Sequence, residues 1–527
     1  MRAHRPLLMG RHGAVGANHP MATQAGLDTL RAGGNAADAA VAVALALGVV
    51  EPMMSGIGGD GFYHAWIGGK SEVINGTGYA AAAAKPETFP GGIEIEGPRS
   101  VSVPGMLGGL GALHAAHGRL PWAQLCGPAI GLARGGYGLT VHGRNFAGDN
   151  TKKLGADSRS ASVFLSHGKA PSLGALIVQE NLARTLEIIA ADGAETFYRG
   201  RLAKALAAGC AERGVAITEA DLAGFHPEVQ APIAITYRGF EIRQTPPNST
   251  GFTMLQILKV AERFDLASMD EAERTHILVE AKKLAFLDRE RFGTDPRFGD
   301  VPLERLLSDA HADALAARIA RDQATEMAQT AIAADTTYFC VVDAEGNAIS
   351  GIQSLNSLYG SGVTAGETGV LLNNRMGYWH LAEGHANRLA PGKRVRHTMN
   401  APMIFRNGEL WAVLGTPGAD NQVQVNAQVA VSLIDLGLDP QEALERPRWT
   451  SSQPDQGANW PHEGDGKLTI ERDVGEETLA ALTARGHRLT PVGHLDGPCA
   501  MQVIRVLDNG VRMAASDPRR DGWAGAY

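Results

Sequence analysis

Hydrophobic and polar positions along the chain fall into two textures. From Pro20 to Val50 apolar residues recur at helical spacing on either side of the break Ala32-Gly33-Gly34-Asn35. The second run, AADAAVAVALALGVV (36–50), is apolar on almost every face and predicts a buried core helix with Asn35 as its N-cap. At about 15 residues, with Asp38 inside it, the run falls short of the roughly 20 that a bilayer span needs. A glycine hinge, SGIGGDG (55–61), then leads to strands FYHAWI and SEVING around the turn Gly68-Gly69-Lys70. Residues 105–235 read as mainly helical, TYRGFEIRQT (236–245) as a strand, and Met254 to Arg291 as one long amphipathic stretch. Residues 311–335 begin helical and fade into small side chains. Beyond them the texture turns to strands, in TTYFCVVDAEGNAISGIQSL, GVLLNN, APMIFRNGELWAVLGT, GKLTI and AMQVIRVLDNGVRMAASD. The sharpest boundary in the chain lies at 335/336.

Composition narrows the class. The 527 residues are 44% hydrophobic and 20% charged, which excludes disordered, collagenous and membrane-spanning chains, and the length alone suggests about three domains. Glycine is in excess, 65 residues or about 12% against a usual share of roughly 7%, so many tight turns and close backbone approaches are expected. A net charge of −8 without a basic run leaves no electrostatic footprint for nucleic acid. Cys126, Cys210, Cys340 and Cys499 lie far apart without a C-x-x-C pair, which predicts buried thiols and neither a zinc site nor a disulfide framework. The N-terminal apolar patch, Pro6 to Met9, is too short for a secretory core, so a cytoplasmic location and no membrane partner are expected.

The segment Thr336 to Ser354 carries the chemistry. If the turn DAEGN centres on Glu345, with Gly346 supplying a positive φ, paired residues sum to 690 and Thr336 faces Ser354. Alternation then puts Ser354 and Asn356 on the same face as Thr336. A threonine heading a strand, after a small-residue segment, is what an autoprocessing N-terminal nucleophile requires. Cleavage of Asp335-Thr336 would free an α-amine, with an ordinary pKa near 8, to serve as base for the Thr336 hydroxyl.

Several separate motifs in order resemble one family: GGNAADAAVA, SGIGGDGF, SVPGMLGGL, TPPNSTG, TTYFCVVDAEGNAIS, QSLNSLYGSG, TGVLLNN, the PGA of GTPGAD, and ASDPRRDGWAGAY. This family is the γ-glutamyltransferases (glutathione hydrolases) of the N-terminal nucleophile hydrolase superfamily. The resemblance implies an α/β fold, the αββα sandwich, and a proenzyme cleaved before Thr336 into a mostly helical fragment, 1–335, and a strand-rich fragment, 336–527, interlocked as one domain. It implies Thr336 as nucleophile, Ser354 as a second hydroxyl beside it, Asn356 as a substrate contact, and the backbone N–H groups of Gly418 and Ala419 as an oxyanion hole. No cofactor or metal is implied. The partners are a small-molecule amide and the two fragments themselves, with homo-oligomerisation open.

The chain leaves the family pattern where the glutamate α-groups bind. The arginine position falls at Thr77, the amine-binding positions read Arg375 and Tyr378, and the paired serines appear as His397 and Thr398. The stretch between Asn374 and Lys393 is also short, so the lid loop of the transferases is expected to be missing. A fixed cation and a phenol argue against recognising an ammonium group. The reading is therefore a threonine amidohydrolase or acyltransferase for an acidic acyl amide lacking the α-amine, similar to the acylase and oxamate amidohydrolase relatives. A genuine glutathione hydrolase and a non-catalytic binding protein on this fold are the alternatives.

Two other signals read as bland. Gly56 to Gly61 matches G-x-G-x-x-G, but a helix precedes it and a strand follows, the reverse of a dinucleotide site. His380, His385 and His397 fit no standard metal spacing and read as a solvated loop.

Overall fold

The fold is that of a computed structural model, which describes residues 4–325, 336–453 and 455–527. Asp335, the residue before the expected cleavage bond, lies outside them.

Two seven-stranded sheets, antiparallel throughout their recorded pairings, are stacked face to face between helices. One runs Trp523–Ala526, Ala14–Ala17, Thr337–Val342, Ala348–Ser354, Asp60–Ile67, Lys70–Gly76 and Glu228–Gln230. The other runs Leu8–Gly10, Arg512–Ser516, Gln502–Val506, Glu409–Gly415, Met403–Arg406, Phe240–Gln244 and Ile233–Tyr237. Both sheets draw strands from either side of 335/336.

Alternation along the strands builds the layers. Tyr338, Cys340 and Val342 meet Met403, Val413 and Ile504 between the sheets. Phe339 and Val341, on the opposite face, pack under the helix Ala36–Val50. Ile404, Ala412 and Leu414 of the second sheet pack under helices Gly251–Ala261, Glu271–Phe292 and Asn421–Ile434. The result is the αββα sandwich, with one apolar layer between the sheets and one beneath each set of helices. Asn35 caps the helix Ala36–Val50 through a reciprocal box with Asp38, and all four cysteines are buried thiols outside any disulfide.

Three expected elements differ. TYRGFEIRQT is not one strand but the turn of a hairpin with parts of both its strands, because Arg238 and Gly239 reverse the chain at φ 50° and 80°. The stretch 254–291 is two helices, since Asp270 caps a new one by accepting from the Glu273 N–H at 2.8 Å. GVLLNN forms only isolated bridges, Thr364 with Leu371 and Gly58 with Leu372. Among the described residues no helix is long and apolar enough to cross a membrane.

Candidate active site

The hairpin has the register its turn dictates: Thr337 pairs with Gln353 and Val342 with Ala348, and Gly346 holds φ 83°. Thr336 enters this ladder buried, at 1% exposure. Its hydroxyl donates to Ser354 Oγ at 3.3 Å and accepts from Gln422 Nε2 at 3.4 Å. The ladder approaches the glycine hinge so closely that a Cβ on Gly59 would lie 2.3 Å from the Ser354 carbonyl oxygen. Glycine at that position lets the hinge pack against the end of the strand that faces Thr336.

Asn356 reaches the site by another route than alternation. The strand ends at Ser354, and a left-handed φ of 88° at Asn356 turns the chain away from the ladder. The Asn356 N–H donates to Ser354 Oγ at 2.7 Å, and its side-chain amide donates to the Asn374 carbonyl (3.0 Å) and Asn459 Oδ1 (2.8 Å).

Arg375 opens a short 3-10 turn, Arg375–Tyr378, and is 1% exposed. Its Nε donates to Asp60 Oδ2 at 3.2 Å, its Nη1 to Asn356 Oδ1 at 3.4 Å, and its guanidinium lies 4.6 Å from the centre of the Tyr378 ring. Its Nη2 is buried without a partner among the described residues. His397 is fully buried, with Nε2 3.4 Å from Asp60 Oδ2 and Nδ1 accepting the Met399 N–H at 3.3 Å. That bond places the ring proton on Nε2, facing Asp60. Burial, reinforced by the Arg375 charge, lowers the His397 pKa to about 4. Burial alone would raise the Asp60 carboxyl, but the His397 hydrogen bond, the Arg375 charge and the Gly78 N–H outweigh it and hold Asp60 below the ordinary range. Tyr378 and Thr398 share a hydrogen bond of 3.0 Å.

Asp60 was absent from the candidates read in the sequence, although it lies inside the glycine hinge and is the anion that organises Arg375 and His397. Gln422 was absent too; it sits in the first turn of the helix Asn421–Ile434. Thr77 is buried, but its hydroxyl donates to Asn75 Oδ1 at 2.6 Å and accepts from Asn248 Nδ2 at 3.2 Å. Its neighbour Gly78 donates to Asp60 Oδ1 at 2.8 Å.

Gly418 and Ala419 precede the same helix, with φ of 124° and 48°. A Cβ at Gly418 would lie 2.3 Å from Cys499 Sγ, so only glycine fits. Neither N–H has an acceptor among the described residues. Two backbone donors thus stand at a helix N-terminus whose Gln422 touches Thr336, an arrangement suited to a developing oxyanion.

The histidines of the 373–400 loop do not form a solvated loop. His397 belongs to the Asp60 cluster, while His380 stacks between His385 and His462 with ring centres 3.6 and 3.5 Å apart. His380, His385 and Glu290 lie within metal-ligand reach. However, parallel rings direct their in-plane lone pairs side by side instead of converging, and Glu290 is already bound by Arg289 and Arg396. A second group, His276, Glu280 and His487, is closed by its own bonds to Ala320, Thr325 and Lys283.

The gamma-glutamyltranspeptidase family model matches residues 22–527. The glutathione hydrolase-like YwrD proenzyme of Bacillus subtilis (strain 168) is 37% identical, over 98% of this chain and 99% of its own. The acylase ACY 1 proenzyme of Pseudomonas sp. (strain SE83) is 37% identical over 97% and 93%. The crystal structure of cephalosporin acylase from Bacillus halodurans superposes with a TM-score of 0.93 at 33% identity, over 100% of this chain and 98% of that one.

Proposed function

The chain belongs to the gamma-glutamyltranspeptidase family, and from that premise we propose a self-cleaving amidohydrolase with Thr336 as nucleophile, acting on amides of an acidic acyl group that lacks an α-amine. Cleavage of the 335/336 bond would give Thr336 an α-amine. That amine takes the hydroxyl proton as Oγ1 attacks the acyl carbon, and passes it to the leaving amine as the C–N bond breaks. Gly418 and Ala419 N–H groups stabilise the oxyanion, and Ser354 and Gln422 hold Oγ1 in place. Water then attacks the threonine ester, releasing the acid and restoring the hydroxyl.

The observation that carries the acyl specificity is the Arg375 Nη2, a buried charged donor with nothing to bind. Asp60, by contrast, already accepts from Gly78, Arg375 and His397, so an α-ammonium has no vacant carboxylate there. The names of the relatives, an acylase and a cephalosporin acylase, support the same direction.

A denaturing gel should show two fragments, the smaller beginning Thr-Thr-Tyr-Phe, and Thr336→Ala should give one uncut band with activity reduced by about a thousandfold or more. Glutaryl and oxamyl anilides should be hydrolysed at least about tenfold more efficiently than γ-glutamyl anilide, with or without glycylglycine, and Arg375→Gln should raise KM for the preferred acid. Equal efficiency on γ-glutamyl anilide would return the assignment to a glutathione hydrolase.

A further inference from the structure

A cavity of about 260 Å³ lies against the Gly418–Ala419 amides, near the lower end of small-molecule sites, roughly 300–1,000 Å³. Asn459, which also lines it, is the residue that binds Asn356, so the cavity adjoins the acyl side of the site. Its wall holds three polar side chains that the mechanism above does not use. Lys282 is fully buried and donates once, to the Ser451 carbonyl at 2.6 Å, although an ammonium has three protons to give. Gln453 and Gln456 are more than nine-tenths buried, and each has a carbonyl oxygen without a donor among the described residues. Native proteins rarely leave such groups unmatched unless a ligand, an ion or an ordered water completes them.

We propose that this cavity seats the leaving amine, and that the amine carries a carboxylate held by Lys282, with its one N–H donating to the Gln453 or the Gln456 oxygen. The proposal rests on the acylase reading and names the other half of the substrate: an N-acyl amino acid or aminobenzoate, with an acidic group at each end of the scissile amide. Of the three carboxylates on the wall, two already have a cation. Asp420 is bound by Arg289, Asp465 by Lys467 at 3.0 Å, and Glu463 is partly exposed where Lys282 is buried. The Lys282 Nζ lies over the Phe286 ring, 4.0 Å from its centre, which holds the amine in the wall. In the empty cavity, burial and the nearby Arg289 and Lys283 charges, only partly offset by Asp420, hold the Lys282 pKa well below that of an ordinary lysine. An incoming carboxylate supplies the counter-charge that is missing.

The test keeps the acyl group constant and varies the amine: glutaryl anilide against glutaryl 3-carboxyanilide. The wild type should prefer the carboxyanilide, and Lys282→Met should reduce that preference, measured as the ratio of kcat/KM values, by about tenfold or more. Lys282→Arg should retain most of the preference. A ratio unchanged in Lys282→Met overturns the proposal while leaving the acylase reading standing. Calorimetry with the amines alone separates the two further: 3-aminobenzoate should bind the wild type more tightly than aniline, and lose that advantage in Lys282→Met. That result would support the pocket even if no glutaryl amide were turned over, whereas equal binding of the two amines would exclude it.

Discussion

Arg375 and Lys282 are both buried basic side chains, linked through the contact of Asn356 with Asn459, yet their surroundings differ in kind. Arg375 has a carboxylate at 3.2 Å, an aromatic face and an amide oxygen, and leaves one nitrogen unmatched. Lys282 has an aromatic face and a single carbonyl, with no carboxylate of its own. A compensated cation is part of the fold: Asp60, Arg375 and His397 order the hinge, the 373–400 loop and the turn at Gly78 against one another. An uncompensated one adds no such order, and stays because something else uses it. In the proposed assignment the acyl side is built around a fixed neutral pair, and the amine side around a basic group with no carboxylate partner among the described residues.

The largest effect should come from breaking the compensated pair. Asp60→Asn leaves the Arg375 guanidinium buried without an anion, a loss of about 3–5 kcal/mol for a buried ion pair broken on one side. Lys282→Met removes a buried charge with no carboxylate partner and should leave stability near wild type or raise it, because its desolvation is relieved. Denaturant unfolding of both variants decides this; equal losses would show that Lys282 is as structural as Arg375.

A second test uses pH. His397 titrates at about 4 in the folded protein against 6.5 for a free imidazole. Between those values the unfolded chain binds a proton that the folded one refuses, so stability falls as pH drops through that window. Complete expression of this difference is on the order of 3 kcal/mol. Asp60 acts in the same sense at lower pH: its contribution is present above its unfolded value near 3.8 and is lost as pH falls through its lower folded pKa. His397→Gln should therefore reduce the slope of the stability profile between pH 6.5 and 4, leaving the part due to His19 and His64, which also titrate at about 4, and to His276, His380, His462 and His487, which burial also lowers. An unchanged profile would mean that the Asp60 cluster is hydrated in solution.

What was legible in the sequence follows the same physical division. The Thr336–Ser354 register could be read because a short turn and period-2 alternation fix it, and Asn35 because a cap with an acidic residue three positions on is a local signal. The family resemblance supplied the αββα arrangement. Asn356 escaped the alternation argument because a positive φ ends the strand's logic, and nothing in a lone asparagine announces that. The 373–400 loop has no periodicity, so only the family resemblance set His397 apart from His380 and His385, and the stacking of those two with His462 was not legible. Lys282 sits in a stretch whose sequence reads as amphipathic, where a lysine ordinarily faces solvent, whereas the helix Glu271–Phe292 buries polar and charged side chains as well as apolar ones. Two signals were available and unused: Asp60, a carboxylate among glycines that a tight hinge is bound to bury, and Asp270 with Glu273, a start signal inside the stretch read as one helix.

The smallest predicted effect concerns how far the compensated side extends. Thr77 occupies the position where the family resemblance places a substrate contact, yet its hydroxyl is engaged by Asn75 and Asn248 beside the turn that delivers the Gly78 N–H to Asp60. Thr77→Val keeps the shape and removes both bonds, leaving Asn75 Oδ1 with only the residue-77 backbone N–H. The expected cost is about 1–2 kcal/mol of stability, with glutaryl and γ-glutamyl amides affected in equal proportion. A KM change confined to the acidic acyl group would instead extend the binding site to this strand end, and would make Thr77 a substrate contact alongside Arg375 in place of a support for Asp60.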